Sequence, residues 1–161
     1  MQICAMVPEG QSLHDAGRQL LETMYRSYTG SPMPQILVGE RGKPYFATGN
    51  LHFSISHTKR RVFCALSQSP IGIDAEEMDR EIDLRLADKI FSPGEKVRYE
   101  AAENKREALL RLWVLKEAQV KLTGEGLHGY PDKTDFSPDD PRVQIIDNCF
   151  VAIMEEQNAQ A

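Results

Sequence analysis

The sequence has 161 residues, 41% of them hydrophobic and 27% charged, a composition typical of a globular protein with one core or two small halves. Its net charge of −5 argues against a protein whose main task is to bind a nucleic acid backbone, although a local phosphate site needs only a few cations. No apolar run is long enough to span a membrane, and the N-terminal residues do not resemble a signal peptide.

The first predicted element is a helix over residues 12–28, where apolar side chains recur at helical spacing. Ser12 is the expected N-cap, with Asp15 three residues later, and Gly30 and Pro32 end the helix. Strands follow, each apolar or alternating and bounded by turn residues. They are predicted at the two ends of QILVGERGKPYF, and in LHFSISHT, RVFCALS and PIGIDAE.

The second part of the chain is predicted to be mainly helical. The stretch REIDLRLADKIF predicts one helix, and a second begins after Ser92, which has Glu95 three residues later as in a capping box. The longest helix is predicted over residues 104–122, with Gly124 and Gly126 as stop signals. Two short strands are expected around Asn148.

Two short segments resemble each other: VFCAL at 62–66 and CFVAI at 149–153. Chance alone can produce so short a match. It nevertheless suggests two similar α+β halves that pack face to face, with a boundary near residue 73. Three separated cysteines, Cys4, Cys64 and Cys149, have neither zinc-ligand spacing nor a disulfide pattern, so we expect reduced, buried thiols in a cytoplasmic protein.

Two carboxylates stand at the end of a predicted strand. Asp74 and Glu76 are spaced i, i+2, so their side chains project to the same side, where each raises the pKa of the other. Hard oxygen ligands in this arrangement suit Mg²⁺. The alternative is a solvated strand end that runs into an acidic loop containing Glu77 and Asp79.

The stretch WVLKEAQVK carries charges beside apolar residues on a predicted helix. Trp113, Glu117 and Lys121 are spaced i, i+4, i+8 and therefore share one face. The simpler interpretation is a surface Glu–Lys pair next to a core tryptophan.

Several basic or hydroxyl residues are candidates for binding phosphate or a flat ring. Ser56 and His57 end a strand just before three basic residues, which suits a phosphate clamp but also an ordinary turn. Lys43 precedes Pro44, which fixes an extended backbone that can lie against a heterocycle, although a plain loop is the alternative. Arg18 on the first helix can equally be a solvated side chain.

Together, the motifs GKPYF, FSISHT, IGIDAE, FSPGE and WVLKEAQVKLTGEGL resemble those of the surfactin-type, single-chain 4′-phosphopantetheinyl transferases. The family pattern Gly-(Ile/Val)-Asp-x-Glu matches residues 72–76. The pattern Trp-x-x-Lys-Glu-(Ser/Ala)-x-x-Lys matches residues 113–121. The resemblance covers roughly residues 15–136.

The resemblance implies transfer of phosphopantetheine from coenzyme A to a serine of an acyl or peptidyl carrier protein, with release of 3′,5′-ADP. It implies a monomeric pseudo-dimer of the α+β class: two α/β subdomains related by a pseudo-two-fold axis, each a small, mainly antiparallel sheet packed on a long helix. Residues 1–73 would form the coenzyme A side and 74–161 the metal-binding and catalytic side of one structural unit. Mg²⁺ is the expected ion, with Mn²⁺ as an alternative, and neither nucleic acid nor membrane is an expected partner.

The resemblance also implies roles for individual residues of the catalytic side. Asp74, Glu76 and Glu117 would bind the metal, and Glu117, directly or through water, would accept the serine proton. Lys121 would bind the α-phosphate and Lys116 the pyrophosphate. The catalytic residues expected are Glu117, Lys121 and Asp74.

On the coenzyme A side, Arg18 and His57 would bind the 3′-phosphate, Lys43 and Pro44 would line the adenine site, and Ser56 also matches a family position. Glu95 matches too but is expected to be a structural helix-start residue. Basic residues that precede these motifs in fuller family members have no counterpart here, so we expect weaker binding at the 3′-phosphate.

The carrier is expected to dock on the segment after Glu76. Met78, Ile82, Leu86 and Phe91 would offer an apolar surface there, or would simply pack inward. Basic residues beside them would meet an acidic carrier helix: Arg80, Arg85 and Lys89.

Two other functions remain open on the sequence alone. Paired carboxylates and a lysine also serve Mg²⁺ nucleases, although the acidic net charge and the lack of a long basic stripe count against one. A binding module that kept the fold without the activity is the non-enzymatic alternative. The presence of Asp74, Glu76, Glu117 and Lys121 argues against that module.

Overall fold

The structure is a computed structural model that describes residues 2–6, 8–125 and 134–157. The part of the chain up to Ser67 forms a helix and five strands. The elements are β1 (Gln2–Met6), α1 (Leu13–Thr29), β2 (Ile36–Val38), β3 (Pro44–Phe46), β4 (His52–His57) and β5 (Val62–Ser67). The predicted helix and strands of this part are therefore confirmed, whereas β1 lies in a segment for which no element was predicted.

The central strand of the first sheet is β5, which pairs antiparallel with β1 on one side and β4 on the other. The strands β2 and β3 form a separate two-stranded hairpin. Helix α1 begins at the predicted cap, where the Ser12 side chain accepts a hydrogen bond from the Asp15 N–H. Its buried face packs on the first sheet, with Leu21 and Met24 in one cluster with Cys64 and others.

The second part of the chain repeats this arrangement. Its elements are β6 (Ile71–Glu77), a 3₁₀ turn (Leu84–Leu86), α2 (Ala87–Ile90), α3 (Pro93–Ala101), α4 (Lys105–Thr123), β7 (Val143–Ile146) and β8 (Cys149–Glu155). Strand β8 lies between β6 and β7, with both pairs antiparallel, and α4 packs on this second sheet. Gly124 caps α4 in a left-handed conformation, as predicted, whereas Gly126 lies outside the described residues.

Two expectations for the second part were wrong. The helix predicted for REIDLRLADKIF is only a 3₁₀ turn and the four-residue α2. The Asp83 side chain accepts the Arg85 N–H, so helical structure begins only after Asp83. The boundary expected between residues 73 and 74 falls inside β6, all of which belongs to the second sheet. By contrast, the predicted strands around Asn148 are confirmed, and Asp147 and Asn148 form their turn with positive φ values of 48° and 62°.

The two sheets pack face to face. Alternate residues of their strands, among them Phe63, Ile73 and Val151, form one buried cluster between the sheets. The layers therefore run α1, first sheet, second sheet, α4. In both halves a strand is followed by a helix and later by two paired strands, of which the last is central. The similar segments VFCAL and CFVAI lie in these two central strands.

Serine side chains join the facing edges of the two sheets. The Ser54 hydroxyl oxygen accepts a hydrogen bond from the Ile73 N–H at 3.1 Å, and that of Ser56 accepts one from the Ala75 N–H at 3.2 Å. These N–H groups lie on the edge of β6 that does not face β8, so without the serines they would be buried and unpaired. Strand β4 therefore fixes the position of β6.

The cysteine prediction holds for two of its three residues. Cys64 and Cys149 are free thiols and are buried, and burial raises the pKa of Cys149 to about 11. The side chain of Cys4 lies outside the described part.

Among the described residues, none of the helices combines the length and apolarity that a membrane crossing needs.

Candidate active site

The α4-facing side of β6 carries Gly72, Asp74 and Glu76, while the residues between them face the other sheet. Helix α4 lies directly on this side. A Cβ atom at Gly72 would lie 2.1 Å from the Ala118 carbonyl oxygen and 2.5 Å from the Leu122 nitrogen. Only glycine permits this approach, which brings the helix against both carboxylates.

Asp74 is buried and only partly satisfied. Its Oδ1 accepts hydrogen bonds from Lys121 Nζ at 2.7 Å and from Ser56 Oγ at 3.1 Å. Its Oδ2 is buried and has no hydrogen-bond partner among the described residues. Burial raises the pKa of this carboxyl group, and Lys121 opposes that shift. One edge of the carboxylate is therefore fixed, and the other edge has unused capacity to bind a ligand.

Glu76 lies two residues further along the same side of β6. Its carboxylate forms an ion pair with Arg80, and the Trp113 side chain lies close enough to lower its pKa. Burial raises the pKa of Glu76 to about 7; Arg80 opposes this shift, while the charge of Asp74 adds to it. Near neutral pH both the protonated and the charged form of this group are therefore populated.

The α4 residues predicted to share one face do meet the two carboxylates. Trp113 contacts Glu76, and Lys121 contacts Asp74. Glu117 lies one turn from each of these α4 residues on the same face and is half-buried. However, no group of three or more His, Cys, Asp or Glu side chains among the described residues is arranged to hold a metal ion. The expected three-carboxylate set is thus not assembled in this structure.

The two β6 carboxylates nevertheless fit a hard divalent ion. Such an ion commonly takes one or two carboxylates and completes its shell with waters and substrate phosphate oxygens. The unpartnered Asp74 Oδ2 and the neighbouring Glu76 supply this kind of oxygen donor.

Lys116 is not where a pyrophosphate ligand would be. Its side chain is only 1% exposed, and its Nζ donates to Glu95 Oε2 at 2.7 Å and also to Thr134. Successive helix residues turn by about 100°, so Lys116 lies on a different face from Glu117 although the two are adjacent in sequence. The assignment of Lys116 to the pyrophosphate was therefore wrong.

The partner of Lys116, Glu95, is the structural residue that was expected. It closes a capping box at the start of α3, in which its carboxylate accepts the Ser92 N–H at 2.9 Å. It also accepts the Phe136 N–H at 3.0 Å. The buried Glu95 thus joins α3, α4 and the segment that leads to β7.

A pocket of about 670 Å³ extends from Glu76 to the turn after β4. His57 lines this pocket, and its side chain is exposed. The lining residues also include Lys59, Arg60 and Arg80. Basic groups and a metal-binding carboxylate candidate therefore share one cavity.

A second pocket of about 290 Å³ lies beside Lys121 and includes Lys43 and Pro44 in its lining. The Lys43 amine donates to the Leu122 carbonyl oxygen at the end of α4, and burial lowers the pKa of Lys43. Its stem lies against Gly124, where an added Cβ would be 3.2 Å from the Lys43 Cδ. The β2–β3 hairpin is thereby joined to α4 across a site next to Lys121.

The structure locates two other coenzyme A candidates differently. The Ser56 hydroxyl donates a hydrogen bond to Asp74 and accepts one from the Ala75 N–H, so it holds the Asp74 carboxylate in place. Arg18 follows Gly17, which packs on Ile55, and the Arg18 side chain forms no hydrogen bond or ion pair with any described residue. Its role at a 3′-phosphate remains a prediction.

The apolar residues expected to face a carrier protein divide into three groups. Phe91 is 1% exposed and packs edge-on against Tyr99, so its assignment to a docking surface was wrong. Met78 and Ile82 are partly buried against α4. Leu86 lines a third pocket together with Arg80, Arg85 and Lys89, and the unpredicted Leu84 is 44% exposed. The 3₁₀ turn changes which side chains face outward, so helical spacing could not identify Leu84.

Two interactions at the site were not anticipated. The Glu76–Arg80 ion pair spans four residues, a spacing that is visible in the sequence. The bonds from Ser54 and Ser56 to β6 depend on the register between two sheets, which no local pattern reveals.

Comparisons with known proteins give a consistent result. A family model described as the 4′-phosphopantetheinyl transferase superfamily matches residues 70–157. The 4′-phosphopantetheinyl transferase HetI of Nostoc sp. is 31% identical, over 91% of this chain and 71% of that protein. The 4′-phosphopantetheinyl transferase gsp of Aneurinibacillus migulanus is 35% identical over 73% of this chain. A 4′-phosphopantetheinyl transferase of Bacillus subtilis is 39% identical over 56% of this chain. The matches cover 52% and 41% of those two proteins, so the chain spans about half their length.

Proposed function

Because the chain belongs to the 4′-phosphopantetheinyl transferase superfamily, we propose that it transfers 4′-phosphopantetheine from coenzyme A to a serine of an acyl or peptidyl carrier protein, releasing 3′,5′-ADP. One observation carries the proposal: Lys121 is bonded to a buried carboxylate whose other oxygen has no described partner, with Glu76 beside it. A cation beside oxygen donors with unused capacity to bind is what a pyrophosphate–metal complex requires.

Asp74 and Glu76 would hold a divalent ion, Mg²⁺ or alternatively Mn²⁺. When bound, such an ion supplies positive charge to the pyrophosphate and to the departing nucleotide. Glu117 is the third proposed ligand, since it lies on the α4 face between the residues that contact Asp74 and Glu76. A rotamer change of Glu117 would be needed for it to join them.

The protein's own side chains would orient the reaction. Lys121 binds the α-phosphate of coenzyme A and steadies the oxygen that leaves. The serine oxygen forms a bond to the β-phosphorus, and the bond between that phosphorus and the bridging oxygen breaks, so that 3′,5′-ADP departs with the electron pair. Glu117 accepts the serine proton, directly or through a water. Asp74 holds Lys121 in position at 2.7 Å.

Coenzyme A recognition is proposed at the two pockets. Lys43 and Pro44 line the adenine site, in the pocket beside Lys121. His57 binds the 3′-phosphate in the pocket that includes Glu76. Arg18 is proposed as a second contact of that phosphate. Ser56 contributes by holding Asp74 rather than by contacting the phosphate.

The proposed carrier surface is the groove that follows β6. Ile82 and Leu86 provide apolar area there, and Arg80, Arg85 and Lys89 supply positive charge for an acidic helix. Arg80 lines both this groove and the pocket with Glu76, so a docked carrier would present its serine near that pocket.

We also propose that the two halves are related by a pseudo-two-fold axis and act as one monomeric unit. The support is that each half has the same order of strand, helix and two further strands, with the last strand in the centre of its sheet. The site would then lie at the junction of the halves.

The direct test is to mix the chain with coenzyme A, Mg²⁺ and several apo-carriers and to look by mass spectrometry for the phosphopantetheine adduct. We expect an adduct that disappears in Asp74→Asn and persists in the matched variant Glu103→Gln, an exposed carboxylate before α4. Coenzyme A binding without an adduct on any carrier would favour the non-catalytic module. Tight DNA binding in the absence of coenzyme A binding would restore the nuclease alternative.

A further inference from the structure

The turn between β4 and β5, residues 58–61, is fastened to the end of β6 by Glu77. This buried carboxylate accepts hydrogen bonds from Thr58 Oγ1 at 2.8 Å and from the Arg60 N–H at 3.1 Å, and it also pairs with the Arg60 guanidinium group. The buried Thr58 oxygen in turn accepts the Arg61 N–H at 3.0 Å. The backbone of the turn is therefore held at several points by one acidic side chain.

The basic residues that line the 670 Å³ pocket differ in what they already bind. Arg60 donates two hydrogen bonds to Asp79, at 2.9 and 3.0 Å, besides its contact with Glu77. Arg80 is paired with Glu76. The exposed Lys59, which the turn places between Thr58 and Arg60, forms no hydrogen bond or ion pair with the described part of the chain.

This difference determines where an anion can bind. An anionic group that enters the pocket can pair with Lys59 without breaking an existing ion pair, whereas pairing with Arg60 or Arg80 would leave a carboxylate unpaired. Carboxylates also line the pocket, but each lies within ion-pair distance of a guanidinium group: Glu76, Glu77, Asp79 and Glu81. Lys59 and His57 are thus the lining groups most available to a phosphate.

We propose that Lys59 is a substrate-binding residue that contacts the 3′-phosphate of coenzyme A together with His57, and that Glu77 is the positioning residue that holds Lys59 there. Neither residue lies in the motifs on which the family resemblance rests, because FSISHT ends at Thr58 and IGIDAE ends at Glu76. The inference rests on the proposed function, since it assigns part of the same substrate.

The test compares two nucleotides by calorimetric titration of the full chain: 3′,5′-ADP, and 5′-AMP, which lacks only the 3′-phosphate. Lys59→Gln should weaken 3′,5′-ADP binding about five-fold and leave 5′-AMP binding unchanged. Lys96→Gln removes the same charge from a half-buried site on α3 and should change neither affinity. Equal weakening of both nucleotides by Lys59→Gln would overturn the assignment.

The positioning role has its own readout. Glu77→Gln should reproduce the selective loss of 3′,5′-ADP affinity, and the double variant with Lys59→Gln should lose no more, because both changes remove one contact. Glu81→Gln, which alters another carboxylate of the same pocket, is the matched control. Additive losses would show that Glu77 acts independently of Lys59.

The two levels of proposal fail in different ways. If the parent chain binds neither nucleotide, the proposed function fails and the inference fails with it. If the parent chain prefers 3′,5′-ADP and Lys59→Gln keeps that preference, the function stands and the inference alone is overturned.

Discussion

At the scale of single residues, Glu76 links stability to function most directly. Only 16% of its side chain is exposed, and the charge of Asp74 is nearby. These surroundings raise its pKa to about 7, although Arg80 partly compensates. The charged form that a metal ion needs is therefore unfavourable in the metal-free protein, a common property of functional sites.

The first prediction concerns the pH dependence of stability without divalent ions. The pKa of Glu76 is higher in the folded state, so the folded protein binds more protons between pH 4.5 and about 7, and stability falls as the pH rises through that window. Glu76→Gln removes this effect. At pH 8 we expect the free energy of unfolding of the variant to exceed that of the parent by as much as roughly 3 kcal/mol. At pH 4.5 the two free energies of unfolding should be close.

Urea unfolding in EDTA at both pH values measures this difference, and Glu103→Gln, an exposed carboxylate, serves as the control. Glu76→Gln should also bind Mg²⁺ more weakly than the parent protein. A stability gain of equal size at both pH values would contradict the role of the raised pKa.

The sequence predicted the residues of the site whose neighbours are set by local geometry. Strand alternation aligned Asp74 with Glu76, and helical spacing aligned Trp113 with Lys121; the contacts confirm both pairs. Lys116 could not be assigned in this way. Its buried position depends on Glu95, which belongs to another helix, and only the tertiary packing reveals that contact.

At the scale of elements, the packing of α4 on β6 determines the site geometry. This contact depends on Gly72, because a Cβ there would approach the Ala118 carbonyl oxygen to 2.1 Å. The backbone of a helix cannot yield locally in the way that a flexible side chain can. Any displacement of α4 would therefore also move Glu117 and Lys121 relative to Asp74.

We accordingly predict that Gly72→Ala destabilises the protein by about 1–3 kcal/mol and abolishes the adduct. Gly39→Ala is a suitable control, since its Cβ would lie 3.4 Å from the Lys43 oxygen, near ordinary contact distance. Urea unfolding and the carrier assay together measure the effect. Full activity in a folded Gly72→Ala protein would mean that α4 need not pack closely on β6.

The serine bonds between β4 and β6 give a second prediction at this scale. Ser54→Ala leaves the buried Ile73 N–H without its acceptor and should destabilise the protein by about 1–3 kcal/mol. Ser27→Ala, at an exposed position of α1, should have little effect. Thermal unfolding compares the two variants, and equal melting temperatures would mean that another group or water replaces the serine.

The predicted elements and the missed elements are stabilised in different ways. Helix α4 has a cap, a stop signal and a length that local pattern can identify. Strand β1 has five residues and is held by its pairing with the distant β5, so the sequence near it contains no equivalent signal. The helix expected in REIDLRLADKIF failed because the local Asp83 cap competes with helix formation before Leu84.

At the scale of the whole molecule, both halves contribute to the candidate site. The first half supplies His57, Ser56 and Lys43, and the second supplies the carboxylates and α4. The halves share the buried cluster between their sheets, which contains residues from β5, β6 and β8. Separating them would expose that cluster to water, so neither half is expected to be stable without the other.

We therefore predict that the chain unfolds as one cooperative unit. Amide hydrogen exchange should give the same opening free energy for the central strands β5 and β8, because opening either one requires the loss of the shared cluster. The hairpin formed by β2 and β3 pairs with neither sheet and should exchange earlier, which provides an internal control. If β5 exchanged through an opening of clearly lower free energy than β8, the first half would be a separate folding unit. The site at the junction would then assemble only after that unit had docked.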